Sequence, residues 1–380
     1  MVNAFASDVL FPPDRLALAA TAAAAAGLDG LLITPGADLR YLTGYDALPL
    51  ERLTCLVVPA RGPAALVVPR LEHPRATESP AGALGIEIVG WDEADDPYDV
   101  CAGLLRAAIG GEPVAVGVGD RMWAVQALDL AAAMPAAQQS AAGRVLRELR
   151  MRKSPAEIEA LRVAGAAIDR VHERIGEWLR PGRSEHEVGR DIAAAIVAEG
   201  HAQVNFTIVG SGPNGASPHH DTGERLIERG DAVVVDIGGT TPAGYCSDET
   251  RTYVVGSAPA GFADYYEVLR VAQQASCDAV RPGVTCADVD RAARQVIATA
   301  GYGDYFIHRT GHGIGLEEHE EPYIVEGNDL VLEPGMAFSI EPGIYLPGRH
   351  GARIEDIVVC TEAGYESVNL VDRSLIALPG

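Results

Sequence analysis

The chain has 380 residues, and its 53 Asp and Glu outnumber 30 Lys and Arg to leave a formal net charge of −23. That length allows roughly two or three domains of ordinary size, and so acidic a balance excludes nucleic acid and anionic membrane as expected partners, because both need a basic face. Hydrophobic residues reach 48% while aromatics stand at 6%, so the core must be built from Ala, Val, Leu and Ile. In chain order, residues 14–27 read as a helix, and apolar strand-like runs follow at LDGLLIT, LTCLVVPA, AALVVP, IEIVGW and PVAVGVG. Helical patterns intervene at 98–109 and 122–134, with Gly and Pro between the pieces. The Gly-x-Gly fragment in VGVGDRM lacks the third glycine of a dinucleotide fingerprint and reads as a turn.

The expected organisation is α/β: an N-terminal domain over residues 1–140, a linker over 141–153 and a catalytic domain over 154–380. Arg144, Arg147, Arg150, Arg152 and Lys153, the chain's only lysine, form a local basic run that reads as a solvated linker helix. A helix start follows at Ser154-Pro155-Ala156-Glu157, where Ser can cap, Pro suits the first helical position and Glu completes a capping box. From there the chain repeats itself. Arg180-Pro181-Gly182, Ser184 and Glu187 are echoed about a hundred residues later by Arg281-Pro282-Gly283, Thr285 and Asp288. Each copy is a turn and a capping box opening a helix, followed by a strand that carries an acid: Asp236 after three valines, Glu341 after Phe338 and Ile340. A second acid follows each, Asp248 in CSDETRTYVV and Glu355 in RIEDIVVC, across a Gly/Pro-containing turn that reads as a hairpin.

Duplicated halves related by an approximate two-fold would bring the four carboxylates Asp236, Asp248, Glu341 and Glu355 together. Buried acids cannot stay ionised without counter-charge, and two divalent cations would supply it. Oxygen-rich ligation suits Mn²⁺, with Co²⁺ or Zn²⁺ as alternatives if imidazole joins in. His308, His312 and His319 stand in one Gly-rich segment between the acidic pairs, and Gly311 and Gly313 would let the backbone at His312 come close to a buried site.

The motifs HRTGHGIGLEEHE, MAFSIEPGIY, RIEDIVV and VVVDIGGTTPAGYCSDETRTY resemble those of the pita-bread metallopeptidases, more narrowly the Xaa-Pro dipeptidase (prolidase) and aminopeptidase P branch. DLRYLTGY resembles that family's N-terminal creatinase-type domain. The resemblance implies a creatinase-type α/β domain followed by a duplicated pita-bread catalytic domain, and it makes Asp236, Asp248, His312, Glu341 and Glu355 the ligands of two metal ions. It implies further that Asp248 and Glu355 bridge the ions, that His219, His308 and His319 serve the substrate side, and that Arg353 supports the ligand set from behind; Glu341 is the expected carrier of a proton from the water to the leaving amine. The 236–248 segment looks one residue longer than is usual in the family.

The expected substrate is a small peptide with proline at the second position, cleaved by a Xaa-Pro dipeptidase. The alternatives are an aminopeptidase P, a non-peptide hydrolase or lyase on the same site, and, remotely, a metal-free binding module. Arg349, His350 and Arg353 are candidates to grip a dipeptide's free carboxylate. The resemblance also implies a homodimer. Cys55, Cys101, Cys246, Cys277, Cys286 and Cys360 include no C-x-x-C pair and read as reduced core residues. With an acidic, Pro-containing N-terminus unlike a leader, they give a cytoplasmic expectation.

Overall fold

The structure, a computed structural model, describes residues 10–380; the first nine, with most of the N-terminus read as unlike a leader, lie outside it. The chain divides into two compact units between Arg150 and Met151.

In the first unit, strands β1 (Gly30–Ile33), β2 (Cys55–Pro59), β3 (Ala65–Pro69), β4 (Glu87–Trp91), β5 (Ala115–Val118) and β6 (Gln138–Ala141) form one mixed sheet. Their order is β4-β3-β2-β1-β5-β6. β1, β2 and β3 are buried along their whole length, which is why they read as unbroken apolar runs rather than alternating ones. Helices α1 (Asp14–Ala25), α2 (Ala37–Thr43), α3 (His73–Glu78), α4 (Pro97–Ile109), α5 (Ala124–Ala133) and α6 (Gly143–Met151) complete it. All five apolar runs become strands. β6 was not foreseeable, because Gln138-Gln139-Ser140 carries no apolar pattern; it exists through its parallel register with β5.

In the second unit, α7 (Pro155–Glu173), α8 (Glu185–Ala198), α9 (Phe262–Ala279) and α10 (Cys286–Thr299) accompany three sheets. One has the order β17-β9-β8-β7, from β7 (Gln203–Ser211), β8 (Ala232–Thr240), β9 (Cys246–Val255) and β17 (Ile376–Leu378). The second has the order β11-β10-β12-β15-β16, from β10 (Gly311–Gly313), β11 (Glu320–Ile324), β12 (Ala337–Ile340), β15 (Asp356–Thr361) and β16 (Gly364–Ser367). A two-stranded ribbon, β13 (Gly343–Leu346) with β14 (His350–Arg353), lies in sequence between β12 and β15.

The capping boxes at Ser154/Glu157, Ser184/Glu187 and Thr285/Asp288 all form, with both reciprocal bonds in each. The duplication extends to the backbone. Gly182 donates to Ile227 O at 2.8 Å and Gly283 to Leu332 O at 3.0 Å, and the bridges Ser184↔Leu226 and Thr285↔Val331 repeat the same turn. The halves meet at their central strands through an antiparallel bridge between Thr250 and Glu355. One expectation fails: the basic run is not solvated to its end. Lys153 is buried, and its Nζ donates to Glu320 Oε1 at 2.7 Å. A lone ammonium could not be buried without such a partner.

Candidate metal centre

Asp236 and Asp248 come from the β8–β9 hairpin, in which Gly238 faces Asp248 and the ladder runs without a slip. The turn between the two strands is closed by Thr241 N donating to Tyr245 O and Gly244 N to Thr241 O. Successive side chains along a strand point to opposite faces, so Asp248 and Thr250 share one face of β9 while Glu249 and Arg251 share the other. On that far side the buried Arg251 donates from Nη1 to the carbonyls of Glu355 and Thr250, at 2.7 and 2.9 Å, and from Nη2 to Asp356 Oδ1 at 2.7 Å. The guanidinium thereby ties β9 to the start of β15. On the near side Thr250 Oγ1 donates to Glu355 Oε2 at 2.7 Å.

The second acidic pair flanks the ribbon: Glu341 follows β12 and Glu355 precedes β15. His312 is the middle residue of β10. Its Nε2 lies 3.3 Å from Glu341 Oε1 and 3.6 Å from Asp248 Oδ2. Asp236, Asp248, Glu355 and His312 are 8%, 3%, 2% and 2% exposed.

Burial, then the charge of Glu355, pushes Asp248 well above the usual carboxylate range; burial, then Glu341, does the same to Glu355. Burial also raises Glu341, to about 7, against the opposing pull of Arg353. Burial and then His319 hold His312 well below its ordinary value, so the ring stays neutral, the form in which imidazole ligates metals. Arg353 faces this cluster of acids: it donates from Nη2 to Asp236 Oδ2, from Nε to Thr250 Oγ1 at 3.1 Å and from Nη1 to Tyr345 Oη at 2.7 Å. Asp236 Oδ1 and Glu355 Oε1 are buried with no hydrogen-bond partner. A buried carboxylate oxygen without a donor is costly, and a cation satisfies it.

The donors fall into three groups whose atoms lie within 4.8 Å of one another: Asp236, Asp248 and Glu355; His312, Glu341 and Glu355; and Asp248, His312 and His319. Sharing of Glu355 and of Asp248 between groups is what two neighbouring divalent ions require, so the residues present fit a dinuclear metal site.

A cavity of about 520 Å³ opens onto the cluster, and Asp236, Asp248, His312, Glu341, Glu355, Arg353, His219, His308 and His319 all line it. His308 Nε2 is 2.9 Å from Tyr345 Oη and its Nδ1 donates to Arg309 O at 2.7 Å. Burial, then Arg353, takes His308 down to about 3. The His319 ring centroid is 3.8 Å from that of His312. Of the residues weighed for a carboxylate grip, Arg353 is engaged by Asp236, and Arg349 and His350 do not line the cavity. His350 instead stacks on Tyr265, whose hydroxyl lies 2.8 Å from its Nδ1.

Phe206, Ile208, Pro218, Arg309 and Glu318 complete the wall and escaped sequence reasoning. For Arg309 a signal existed, since it stands directly after His308 in the histidine-rich segment. Its guanidinium lies over the Tyr323 ring at 4.5 Å, and its Nη2 donates to His319 Nδ1 at 3.2 Å.

Residues 159–362 match the model of metallopeptidase family M24, and residues 15–152 match that of the creatinase/prolidase N-terminal domain. The chain is 58% identical over 365 residues to the probable dipeptidase PepE of Mycobacterium tuberculosis, covering 96% of each protein. It is 36% identical over 352 residues to the Xaa-Pro dipeptidase of Lactobacillus helveticus, covering 90% of this chain and 92% of that one. The crystal structure of dipeptidase PepE from Mycobacterium ulcerans superposes with a TM-score of 0.92 at 56% identity, covering 99% of this chain and 100% of that one.

Proposed function

Because the chain belongs to metallopeptidase family M24, we propose that it is a Xaa-Pro dipeptidase that works with two divalent ions, Mn²⁺ in first place given the oxygen-rich donors. The observation that carries the reading is the pair of donor groups sharing Glu355 on the floor of one cavity. Asp236, Asp248 and Glu355 would hold one ion and His312, Glu341 and Glu355 the other, with Asp248 reaching both. When bound, such a pair supplies an activated water and polarises the scissile carbonyl. Glu341 is placed to take a proton and return it to the leaving amine. His219 and His319, at the cavity wall, offer donors to the carbonyl oxygen as charge develops on it. His308, held by Tyr345, and Arg353, held by Asp236, give that wall a fixed shape. The proline of the substrate has no amide N–H to donate, so shape and the trans bond must be recognised instead.

Arg309 favours a dipeptide over a longer peptide: a cavity-lining guanidinium stacked on Tyr323 suits the free carboxylate of a C-terminal proline. An aminopeptidase P would leave this end open. Rates on a Xaa-Pro dipeptide and a Xaa-Pro-Yaa tripeptide with Mn²⁺ supplied separate the two, and the dipeptide should be preferred. Arg309→Leu should raise the dipeptide KM about 10- to 100-fold, as expected for a lost charge-assisted hydrogen bond, and leave the tripeptide nearly unchanged. Equal rates on both substrates in the parent enzyme would sink the dipeptidase reading. Asp248→Ala should abolish turnover and lower the bound metal per chain; full activity in that variant would overturn the two-ion reading.

Among the described residues no helix is long and apolar enough to cross a membrane. All six cysteines are free and buried, which supports a reducing, cytoplasmic setting. A homodimer belongs to the same reading and is checked by sedimentation.

A further inference from the structure

Pro218 and His219 reach the cavity on a segment, 212–223, whose only regular structure is a short 3₁₀ turn at Gly212–Ala216. Its position therefore depends on side-chain anchors: Arg353 Nη1 donates to Pro218 O at 3.3 Å and Thr222 Oγ1 to Thr207 O at 2.8 Å, and four further points of the segment converge on one group. Glu185, the first residue of α8, is 0% exposed. Its Oε1 accepts from Ser211 N at 2.7 Å, Ser211 Oγ at 2.6 Å and Asn214 Nδ2 at 3.0 Å. Its Oε2 accepts from His220 Nε2 at 2.8 Å, Asn214 Nδ2 at 3.1 Å and Gly223 N at 3.4 Å. The entry, the turn, the neighbour of His219 and the exit of the segment thus all hang on a single carboxylate. Burial works against its ionised form, yet the bonds from Ser211, His220 and Asn214 outweigh burial and hold it below the ordinary range.

The duplication supplies an internal control. Cys286 occupies the corresponding position, first residue of α10 after the Thr285 cap, and sits in an apolar cluster with Ile324, Leu332 and Met336. The backbone bonds match: Glu185 N donates to Arg225 O at 3.0 Å, and Cys286 N to Leu330 O at 2.9 Å. The duplicated scaffold therefore forms with a small uncharged side chain at this place. A carboxylate at zero exposure carries a desolvation cost that the scaffold does not require.

We infer that Glu185 is a positioning residue: its carboxylate fixes the 211–223 segment so that His219 faces the reacting centre. The inference rests on the reading of His219 as a substrate-facing donor.

The test is a double-mutant cycle on the metal-loaded full chain, with Glu185→Cys, Glu185→Asp, His219→Ala and the Cys/Ala double variant assayed on a Xaa-Pro dipeptide. Misplacing a catalytic group by an ångström can cost about 100-fold, so E185C should lower kcat/KM about 10- to 100-fold, mainly through kcat, at unchanged metal content. In the H219A background the same change should cost less than about 3-fold, because the group it positions is gone. E185D, which keeps the charge, should recover part of the rate. Hydrogen exchange in E185C should rise within 211–223 and stay at the parent level in 320–330. Effects that multiply in the cycle, or exchange that rises evenly through the catalytic unit, would overturn the positioning role. An H219A enzyme with parental kcat/KM would instead remove the reading of His219, and the inference with it. Should E185C fail to fold, E185D decides by the same cycle, with a smaller loss that must again vanish beside H219A.

Discussion

At Gly311 a single methyl group decides whether the wall beside His312 can form. A Cβ there would lie 1.9 Å from the Ser339 carbonyl oxygen, and one at Gly313 would lie 2.3 Å from that of Glu321. Both clashes are with backbone, which cannot swing aside. Gly311→Ala should therefore cost about 3 kcal/mol, the upper part of the range for overpacking, and lower the melting temperature together with metal content. A variant with parental melting and metal binding would refute the close-approach argument. His172 illustrates a different constraint. Its Nε2 donates to Glu249 O at 3.2 Å and its Nδ1 accepts from Tyr253 Oη at 2.9 Å, so the neutral ring is fully used. Burial, then Arg251, brings it down to about 3. Above about pH 6.5, the ordinary histidine value, neither folded nor unfolded chain carries the proton. Below that pH the unfolded chain takes it first, and stability falls until the folded value is reached. The loss from this one ring should be about 2 kcal/mol at pH 5, and melting curves of His172→Gln between pH 7 and 5 should decline less steeply than those of the parent.

Elements are what carry these residues into one place, and the β8–β9 hairpin does most of it. Thr250 is its pivot, bridging to Glu355 through the backbone, donating to the Glu355 carboxylate and accepting from Arg353 Nε. Thr250→Val keeps the shape of the side chain and removes both side-chain bonds. Partners that orient ligands are worth about 10- to 100-fold in metal affinity or activity, so this variant should bind Mn²⁺ that much more weakly in a titration while its far-ultraviolet dichroism stays unchanged. The capping boxes at 154, 184 and 285 were legible in the sequence because each is complete within four residues. So were the apolar strands, whose burial on both faces leaves a local record. β6 and the Lys153–Glu320 pair were not: a polar edge strand and a buried ion pair are created by what lies beside them.

For the molecule as a whole, the net charge of −23 understates how unevenly charge is distributed. Four acids crowd a single cavity, and without cations burial and mutual repulsion push Asp248 and Glu355 toward their protonated forms. A divalent ion that binds the folded chain and not the unfolded one stabilises by mass action, about 2.7 kcal/mol at a free concentration 100 times the dissociation constant. Chelation should accordingly lower the melting temperature, and Mn²⁺ should restore it. The same treatment of an Asp236→Asn/Glu355→Gln double variant should have little effect. A parent enzyme whose melting ignores chelator would show that the acids are not a metal centre.

The family, the duplicated catalytic half and nine of the fourteen residues that line the cavity were readable from sequence alone, because a duplication repeats its signals at a fixed distance and metal donors must be of a few residue types. Which groups close the site was decided only in three dimensions. Arg309, Tyr345 and Glu185 owe their roles to neighbours remote in sequence, and a hydrogen bond or a stacked ring across that distance leaves no periodicity to read. The acidic excess met at the outset could not disclose this, since net charge sums over residues and a site depends on where they meet.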